Sequence, residues 1–448
     1  MSSERKFSQD GKVVHLDPRG STSPLQSAPA ASGELGATLC RELLAARSSG
    51  QDAQLLVFRI SNFDLLVDTF GPDFGSAAEA ALLHQLRGLL RRREPVQRIL
   101  PGEFGIVGRG IRCDAALKAM TDRMVEGGTG HYEIDGVPCR LKLEIGAAAC
   151  PGDSDRPDEL LHFARFALRE LGDGLDSCRS FSRDDLDRRK AMFRMEAEME
   201  KALEEQRFIL QYQPQFAVST GAVSGMEALI RLVRTDGSRI SPADFIPLAE
   251  DNGFIVRLGY WIIREACQQL SRWRRAGLSV PRISINVSPH QLLDQRLLEV
   301  TEAAVAASGL EMNDLEFEIT ERCMVEHSNQ VLEMLHELRR RGVRLAIDDF
   351  GTGYSSFAYL AWQPLDIVKL DRSFLARVGD DDRIDAVVRG MIAMARQLGL
   401  GLVAEGVENE QQADFLRSVG CDVAQGFALA HPQDPEAITQ LLIESECA

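Results

Sequence analysis

The chain has 448 residues, of which 44% are hydrophobic and 26% charged, and its formal net charge is −16. This length allows two or three domains with full hydrophobic cores, and the negative charge argues against binding of nucleic acid polymers through clustered Lys and Arg. The polar start, residues 1–12, has no signal-peptide pattern, and no apolar run is long enough to cross a bilayer. We therefore expect a cytoplasmic protein without membrane insertion.

The first 182 residues predict a tail and a domain. Residues 1–35 are rich in Ser, Pro, Gly and Ala with little periodic hydrophobicity, which predicts a disordered tail. Residues 36–182 alternate apolar strand-like segments with helical ones, from LLVFRI at 55–60 to DELLHFARFALREL at 158–171. This order predicts a compact α+β domain with an antiparallel sheet.

Residues 183–207 are predicted to form a linker helix. Met192, Met195, Met199 and Leu203 are spaced three, four and four residues apart, which places them in one stripe. The stripe either packs on the following domain or forms a signalling coiled coil. It is too short for sustained heptads, which favours packing.

Residues 208–448 alternate eight short apolar strands with helical segments, which predicts an α/β fold of the (β/α)₈ TIM-like barrel type. Each strand is expected to end in a carboxylate, an amide or Lys. Because such barrels keep their active sites at the carboxyl ends of the strands, we expect these groups to meet at one mouth. They are Glu227, Asn286, Glu318, Asp348, Asp349, Lys369, Glu405 and Gln425.

The residue types of this set indicate a metal site. Carboxylate and amide oxygens are hard ligands, which suit Mg²⁺ or Mn²⁺, and so many acids would repel one another without a cation. Asp348 and Asp349 would face opposite ways in a regular strand, so both reach one site only if the strand ends there. Lys369 lies within an apolar strand, where an unpaired ammonium is costly, so it needs acids nearby.

Eight short segments in residues 208–432 resemble the EAL domain of cyclic di-GMP phosphodiesterases. They are YQP, EALIR, SINVS, FEITE, DDFGTGYSS, KLD, AEGVE and QGF, in this order. The resemblance implies that a metal-activated water opens cyclic di-GMP to linear pGpG. It implies two bound metal ions, held directly or through water by Glu227, Asn286, Glu318, Asp348 and Asp349, with Glu405.

The same resemblance implies roles for the remaining site residues. Lys369 would orient or deprotonate the water, with help from Gln425, and Glu321 would anchor the loop that begins at Asp348. The predicted substrate-binding residues are Arg231, for a phosphate, with Gln213 and Asp371. A homodimer that pairs near the loop after the fifth strand is expected, and a regulatory protein partner is left open.

The upstream domain resembles the GGDEF domain of diguanylate cyclases, with a nucleotidyl-cyclase-like fold, through LLVFRISNFDLLVDTFGPDFG, RILPGEFGIV and LKLEIGAAACPGDSDRPDELLHFARFAL. Where that family reads Gly-Gly-Asp-Glu-Phe, residues 100–104 read LPGEF, and Arg59 and Ser61 replace metal-binding and nearby acids. A cation in place of a ligand would repel Mg²⁺, and Pro101 removes a backbone N–H. Cyclase activity is therefore not expected.

Two alternatives concern the role of each domain. The upstream domain is either a structural or regulatory partner, which we favour, or a GTP sensor; Arg91 and Glu94, in the place of a product-inhibition site, are weak support for ligand binding. The barrel is either an enzyme or a receptor that binds cyclic di-GMP without cleaving it. Retention of every predicted metal ligand favours the enzyme.

Overall fold

The computed structural model describes residues 37–50, 52–90, 96–111, 114–172, 176–321, 323, 329–351, 360, 362–379 and 381–447. The predicted tail 1–35 lies outside these residues, as do Arg91, Glu94 and the segment 352–359. The chain divides into two compact units, Met1–Ala191 and Met192–Ala448. None of the described helices is long and apolar enough to cross a membrane.

The first unit is built on a five-stranded sheet in the order β2-β3-β1-β6-β7. The strands are β1 (Ala53–Ile60), β2 (Gln97–Leu100), β3 (Glu103–Arg109), β6 (Leu143–Cys150) and β7 (Cys178–Ser180), and β4 (Gly130–Ile134) and β5 (Val137–Leu141) form a separate hairpin. All pairs are antiparallel except β6 with β7. Its described helices are Ala37–Ser48, Phe63–Phe70, Pro72–Arg87, Asp114–Gly128 and Pro157–Arg169.

Helices cover both faces of this sheet, as the alternation along β1 shows. Leu56 and Phe58 belong to one buried cluster, whereas Leu55 and Val57 belong to another. Because successive side chains of a strand point to opposite faces, the nearly continuous apolar run of β1 is buried on both sides. The predicted α+β domain is confirmed.

A helix spans Arg183–Glu204 and contains the boundary between the two units. Near its start, Leu186 is buried in the first unit. Farther along, Met199 is fully buried in the core of the second unit, and Met192, Met195 and Leu203 pack against that core. The apolar stripe therefore contacts the barrel, as the packing interpretation predicts.

The second unit is a closed barrel of eight strands in the order β8-β9-β11-β12-β13-β14-β15-β16, in which β16 pairs with β8. The strands are β8 (Phe208–Ala217), β9 (Val223–Val233), β11 (Ile283–Asn286), β12 (Leu315–Thr320), β13 (Arg344–Phe350), β14 (Ile367–Leu370), β15 (Gly401–Ala404) and β16 (Val423–Ala424), and the short β10 (Arg239–Ile240) pairs with β9 outside the ring. Its described helices are Pro242–Asp251, Phe254–Arg275, Pro289–Leu292, Leu297–Ser308, Asn329–Arg341, Arg372–Leu375, Asp382–Gln397, Glu410–Val419 and Pro435–Cys447, with a 3₁₀ turn at Met312–Asp314.

The barrel confirms the predicted number of strands but differs in the direction of the first. Strand β8 is antiparallel to both β9 and β16, whereas the other neighbouring pairs of the ring are parallel. Only residues 218–222 separate β8 from β9. A parallel connection needs a crossover of a dozen or more residues, so this short link forms a hairpin instead.

The β8–β9 hairpin also extends beyond the rest of the barrel. Strand β11 pairs with β9 only along Met226–Ala228, and β9 continues to Val233. Strand β10 pairs with this extension at Leu232 and Val233. Because β9 and β11 run in parallel, the extension projects past the carboxyl ends of the strands, where the site lies.

Candidate active site

Four of the predicted site residues lie one layer above a small apolar plug inside the barrel. The plug is a small buried cluster, separate from the main core, that consists of Ala346, Ile367 and Val403 with Val423 packed against it. Side chains two positions apart on a strand point to the same side. Two positions beyond the plug, the same strands or their ends carry Asp348, Lys369, Glu405 and Gln425.

Lys369 is the centre of this layer. It is completely buried, and its Nζ lies 2.5 Å from Glu405 Oε1, 2.7 Å from Glu318 Oε2 and 3.3 Å from Asp348 Oδ1. A fourth carboxylate oxygen, Glu227 Oε1, lies 4.0 Å away. The structure therefore supplies the acids that the buried ammonium was predicted to need.

Glu227 is held by two amides. Its Oε1 accepts a hydrogen bond from Asn286 Nδ2 at 2.9 Å, and its Oε2 accepts one from Gln425 Nε2 at 2.5 Å. Gln425 Nε2 also donates to Gln213 Oε1 at 2.9 Å, and Gln213 Nε2 donates to the carbonyl of Ala430 at 3.0 Å. These bonds connect the strands β8, β9 and β11 with Gln425, the residue directly after β16.

One ammonium among four carboxylates leaves a strong excess of negative charge. Burial, together with the neighbouring acids, raises the pKa of Glu405 to about 7 despite Lys369, and it raises the pKa of Glu318 well above its usual range. Lys369 and the two amides outweigh burial at Glu227 and hold the pKa of its carboxyl below the ordinary value. The four carboxylates outweigh burial at Lys369 and raise its pKa, so this side chain is an ammonium.

The expectation that every site residue ends its strand is wrong for Glu227. This residue lies in the middle of β9, where it is paired with Gln213 of β8 and lies level with Ser284 of β11. The strand continues because β8 pairs with it beyond the mouth. The carboxylate of Glu227 nevertheless reaches the layer of the other acids, since its Oε1 lies 4.0 Å from Lys369 Nζ.

The expectation that the strand ends at the two adjacent aspartates is also wrong. Strand β13 continues to Phe350, and its pairing with β14 shifts register between Ile347 and Phe350. Asp349 within this bulge has φ +52°, which Asp tolerates better than most residues. Burial and the charges of Asp348 and Asp371 raise the pKa of the Asp349 carboxyl, which places it in the same acidic region. A bulge re-aims a side chain without ending the strand.

Three further predicted residues have defined contacts. Glu321 Oε2 accepts a hydrogen bond from the backbone N–H of Gly351 at 3.2 Å, directly after β13. Asp371 Oδ1 accepts one from Ser373 N at 3.0 Å and caps the helix Arg372–Leu375. Arg231 lies on the projecting part of β9. The roles predicted for these residues in the reaction stay predictions.

Three polar residues beside Arg231 were not predicted. Gln211 Oε1 accepts a hydrogen bond from Arg231 Nε at 2.9 Å, and Asp434 Oδ1 accepts one from Gln211 Nε2 at 3.1 Å. Asp434 also forms an ion pair with Arg239. Gln211 could have been found from its position two residues before Gln213, on the same face of the strand, whereas the sequence gives no signal for Asp434.

The donor chemistry of the layer fits a divalent cation. Among the described residues, the buried atom Glu318 Oε1 has no hydrogen-bond partner, and Asp348 Oδ1 has only the ion pair with Lys369 at 3.3 Å; both are hard oxygen donors. No three His, Cys, Asp or Glu side chains in the described part of the chain are arranged to hold a metal ion, because the carboxylates converge on Lys369. The residue types fit a divalent cation, whereas the arrangement of the carboxylates in this structure serves the ammonium of Lys369.

The model of one protein family, the EAL domain, matches residues 196–432, which is more than half of the chain. The chain belongs to the EAL domain family. A second model, the GGDEF domain of diguanylate cyclases, matches residues 35–174 of this EAL chain. The two family domains therefore occur in tandem, in the order predicted from the sequence.

Known relatives cover most of this EAL chain. It is 33% identical over 397 residues to the cyclic di-GMP phosphodiesterase NbdA of Pseudomonas aeruginosa, an alignment of 88% of this chain and 51% of NbdA. It is 31% identical over 385 residues to the bifunctional diguanylate cyclase/cyclic di-GMP phosphodiesterase MucR of the same bacterium, with 86% and 56% covered. The chain thus spans about half the length of the curated relatives it matches.

A solved structure supports the fold of the barrel. The PaMucR phosphodiesterase in complex with c-di-GMP is 37% identical to this EAL chain, with a TM-score of 0.52. The alignment covers 55% of this chain and 99% of that structure.

Proposed function

We propose that this EAL chain is a cyclic di-GMP phosphodiesterase that hydrolyses one phosphodiester of its substrate to give linear pGpG. The observation that carries the proposal is the layer of four carboxylates around the single ammonium of Lys369 at the barrel mouth. Such crowded acids stay ionised together only beside further cations, and without them their pKa values rise, as at Glu405 and Glu318. The names of NbdA and of the PaMucR complex give the substrate and the reaction.

The oxygen-rich layer would hold two Mg²⁺ or Mn²⁺ ions. The residues that would bind them are Glu227, Asn286, Glu318, Asp348 and Asp349. When bound, such ions polarise a phosphodiester and lower the pKa of a water molecule. The charge of Lys369, together with the two amides, keeps the Glu227 carboxylate ionised, and the amides orient it for this role.

The chain's own residues would position the substrate and the water. Lys369, an ammonium held by Glu405, Glu318 and Asp348, suits orientation of the water better than its deprotonation. Gln425 holds Glu227, and Glu321 holds the turn after β13 through Gly351 N. Substrate contacts would come from Arg231, Gln213 and Asp371.

A receptor that binds cyclic di-GMP without cleaving it is the alternative function. It is disfavoured because every predicted metal ligand is present in the sequence. The Lys369 layer also adds buried charge that binding alone does not need.

We propose a structural or regulatory role, without cyclase activity, for the first unit. Arg59 occupies the position of a metal-binding acid and forms an ion pair with Glu144 at 2.9 Å. Glu103 of the LPGEF segment is paired with Arg165 at 2.5 Å. In both pairs a guanidinium stands where a metal ion bound to GTP would need a free carboxylate. We therefore expect GTP to bind poorly and to leave the phosphodiesterase rate unchanged. The proposed homodimer rests on the family resemblance alone, since residues 352–359 lie outside the described part.

The test is incubation of the purified full chain with cyclic di-GMP and Mg²⁺ or Mn²⁺, with and without a chelator, followed by chromatographic separation of products. We expect pGpG only when metal is present, and we expect Glu227→Ala to abolish its formation while the protein stays folded by circular dichroism. Glu299→Ala, on the exposed face of the helix Leu297–Ser308, is the matched control and should be fully active. Undiminished activity of the Glu227 variant would refute the assigned site.

A further inference from the structure

The extension of the β8–β9 hairpin presents two arginines on one face above the carboxylate layer. Alternation along β9 places Arg231 on the same face as Glu227. In an antiparallel pair, partner residues share a face, so Arg239, paired with Val233, also lies on this face. Arg231 and Arg239 are therefore diagonal neighbours on the surface that overlooks the site.

Arg231 has a guanidinium whose charge is not neutralised by a direct partner. It is partly buried, and its hydrogen bonds go to the neutral acceptors Gln211 Oε1, at 2.9 Å, and Ile230 O, at 2.8 Å. No carboxylate oxygen of a described residue lies within ion-pairing distance of it. A partly buried cation with neutral partners is costly and attracts an anion.

Arg239 is held next to this unneutralised charge by one acid. Its Nη2 donates to Asp434 Oδ2 at 2.9 Å and to Oδ1 at 3.2 Å, and Gln211 Nε2 donates to the same Oδ1 at 3.1 Å. Asp434 therefore connects Arg239 to the residue that orients Arg231. The group carries two guanidinium charges against one carboxylate and is positive, whereas the chain as a whole carries −16.

A cyclic dinucleotide carries two phosphates on one ring, and only one is cleaved. Arg231 is four residues beyond Glu227 on β9, so their backbone positions are roughly 13 Å apart at 3.3 Å per residue. Arg231 and Arg239, which we call the arginine pair, therefore lie apart from the carboxylate layer. The arginine pair suits a phosphate without a metal ion, and the carboxylate layer suits a phosphate that binds with metal ions. A guanidinium binds a phosphate through paired hydrogen bonds.

We propose that Arg239 is a substrate-binding residue that, together with Arg231, receives the phosphate of the cyclic dinucleotide that is not cleaved. Asp434 neutralises Arg239 in the absence of substrate, and the phosphate takes its place on binding. This inference rests on the proposed function, since it assigns the second phosphate of the same substrate.

The test compares a substrate with two phosphates and a substrate with one. Arg239→Ala should raise KM for cyclic di-GMP by roughly 10- to 100-fold, the range for loss of a hydrogen bond between charged groups. Its kcat for cyclic di-GMP should stay within about 3-fold. Its kcat/KM for bis(p-nitrophenyl) phosphate, which has a single phosphodiester, should be unchanged. Arg417→Ala, which removes an exposed arginine that is also paired with one aspartate, is the matched control and should leave all these values unchanged.

The variant Asp434→Asn distinguishes phosphate binding by Arg239 from a purely structural role of the Arg239–Asp434 ion pair. It removes the charge that holds Arg239 but keeps an oxygen that can accept from Gln211. If Arg239 binds phosphate, this variant should keep KM within about 2-fold of the wild type or lower it. A rise in KM equal to that of Arg239→Ala would show that only the ion pair matters and would overturn the proposal.

The affinity for cyclic di-GMP, measured in the presence of a chelator, tests the role of Arg239 separately from the phosphodiesterase activity. If the wild type binds cyclic di-GMP in chelator but does not cleave it once Mg²⁺ or Mn²⁺ is supplied, the phosphodiesterase assignment fails, and the Kd of Arg239→Ala must still rise by a similar factor. If the wild type cleaves cyclic di-GMP and Arg239→Ala has an unchanged KM, the arginine pair is refuted and the phosphodiesterase assignment stands. If the wild type neither binds nor cleaves it, both are refuted.

Discussion

The chemistry of this protein depends on where a few charged side chains are buried. Lys369 is completely enclosed, and its cost of burial is offset only because four carboxylates surround it. Those carboxylates in turn depend on Lys369, since without it they would repel one another. The ammonium is thus a permanent part of the layer, and added metal ions would neutralise the remaining negative charge.

Replacing Lys369 by Met tests this mutual dependence. In the presence of a chelator we expect a loss of about 3–5 kcal/mol in the free energy of unfolding, the cost of leaving buried charges without their partner. Mg²⁺ should restore more stability to the variant than to the wild type, because the unpaired carboxylates then bind it. Hydrolysis of cyclic di-GMP should fall by about 100-fold or more, the range for misplacement of the reacting groups once the residue that orients the water is lost.

Urea unfolding with and without Mg²⁺, together with the rate of pGpG formation, measures both effects. Lys201→Met, in the helix Arg183–Glu204, removes an exposed lysine that is paired with Glu205 and serves as control. Equal stability of Lys369→Met and wild type in chelator would contradict the account of the buried layer.

At the scale of elements, the turn at the end of β13 positions two acids. The register shift and the left-handed conformation of Asp349 are followed by Gly351 at φ +97°, whose N–H is bound by Glu321. A side chain at position 351 would be strained in its backbone and would also collide with its neighbours. Its Cβ would lie 2.6 Å from Phe374 Cζ and 2.9 Å from Met391 Cε.

Gly351→Ala should therefore destabilise the barrel by about 1–3 kcal/mol, the range for inserting a methyl group into a packed site. It should also weaken Mg²⁺ binding, because the turn carries Asp348 and Asp349. Gly390→Ala is the matched control, since Gly390 lies in the helix Asp382–Gln397 with open space around its would-be Cβ. That control should be stabilised by about 0.5–1 kcal/mol, because Ala favours a helix over Gly. Thermal unfolding of both variants measures these changes in stability. Equal changes in Gly351→Ala and Gly390→Ala would refute the role of the turn.

At the scale of the whole molecule, the boundary between units falls inside one helix. The part of that helix after Ala191 belongs to the barrel, because Met199 and Ala202 are fully buried in the barrel core. The barrel with its helix should therefore be an independent folding unit that contains every predicted ligand.

Two truncated chains test this boundary. A fragment of residues 183–448 should fold and hydrolyse cyclic di-GMP, whereas a fragment of residues 206–448 should lose about 2–5 kcal/mol of stability, the cost of removing a buried Met side chain. Circular dichroism during thermal unfolding, with activity measured on each fragment, gives the comparison. A folded fragment 183–448 without activity would show that the working unit includes the first 182 residues.

The sequence by itself determined the two family domains and the eight strands, and it predicted the residue types that meet around Lys369. These features are local, since strands are recognised from short apolar runs and the ligand types from single residues such as Glu318 or Lys369. The direction of β8 was also readable from the short link 218–222, although the barrel prediction overlooked it.

Only the tertiary structure decided which side chains meet. Glu227 is level with the other acids although it lies in the middle of its strand, and Asp349 occupies a bulge that no local pattern indicates. The link from Arg231 through Gln211 to Asp434 joins residues more than 200 positions apart in sequence. Closure of the barrel brings them together, because the pairing of β8 with both β9 and β16 places the last part of the chain beside the first strand.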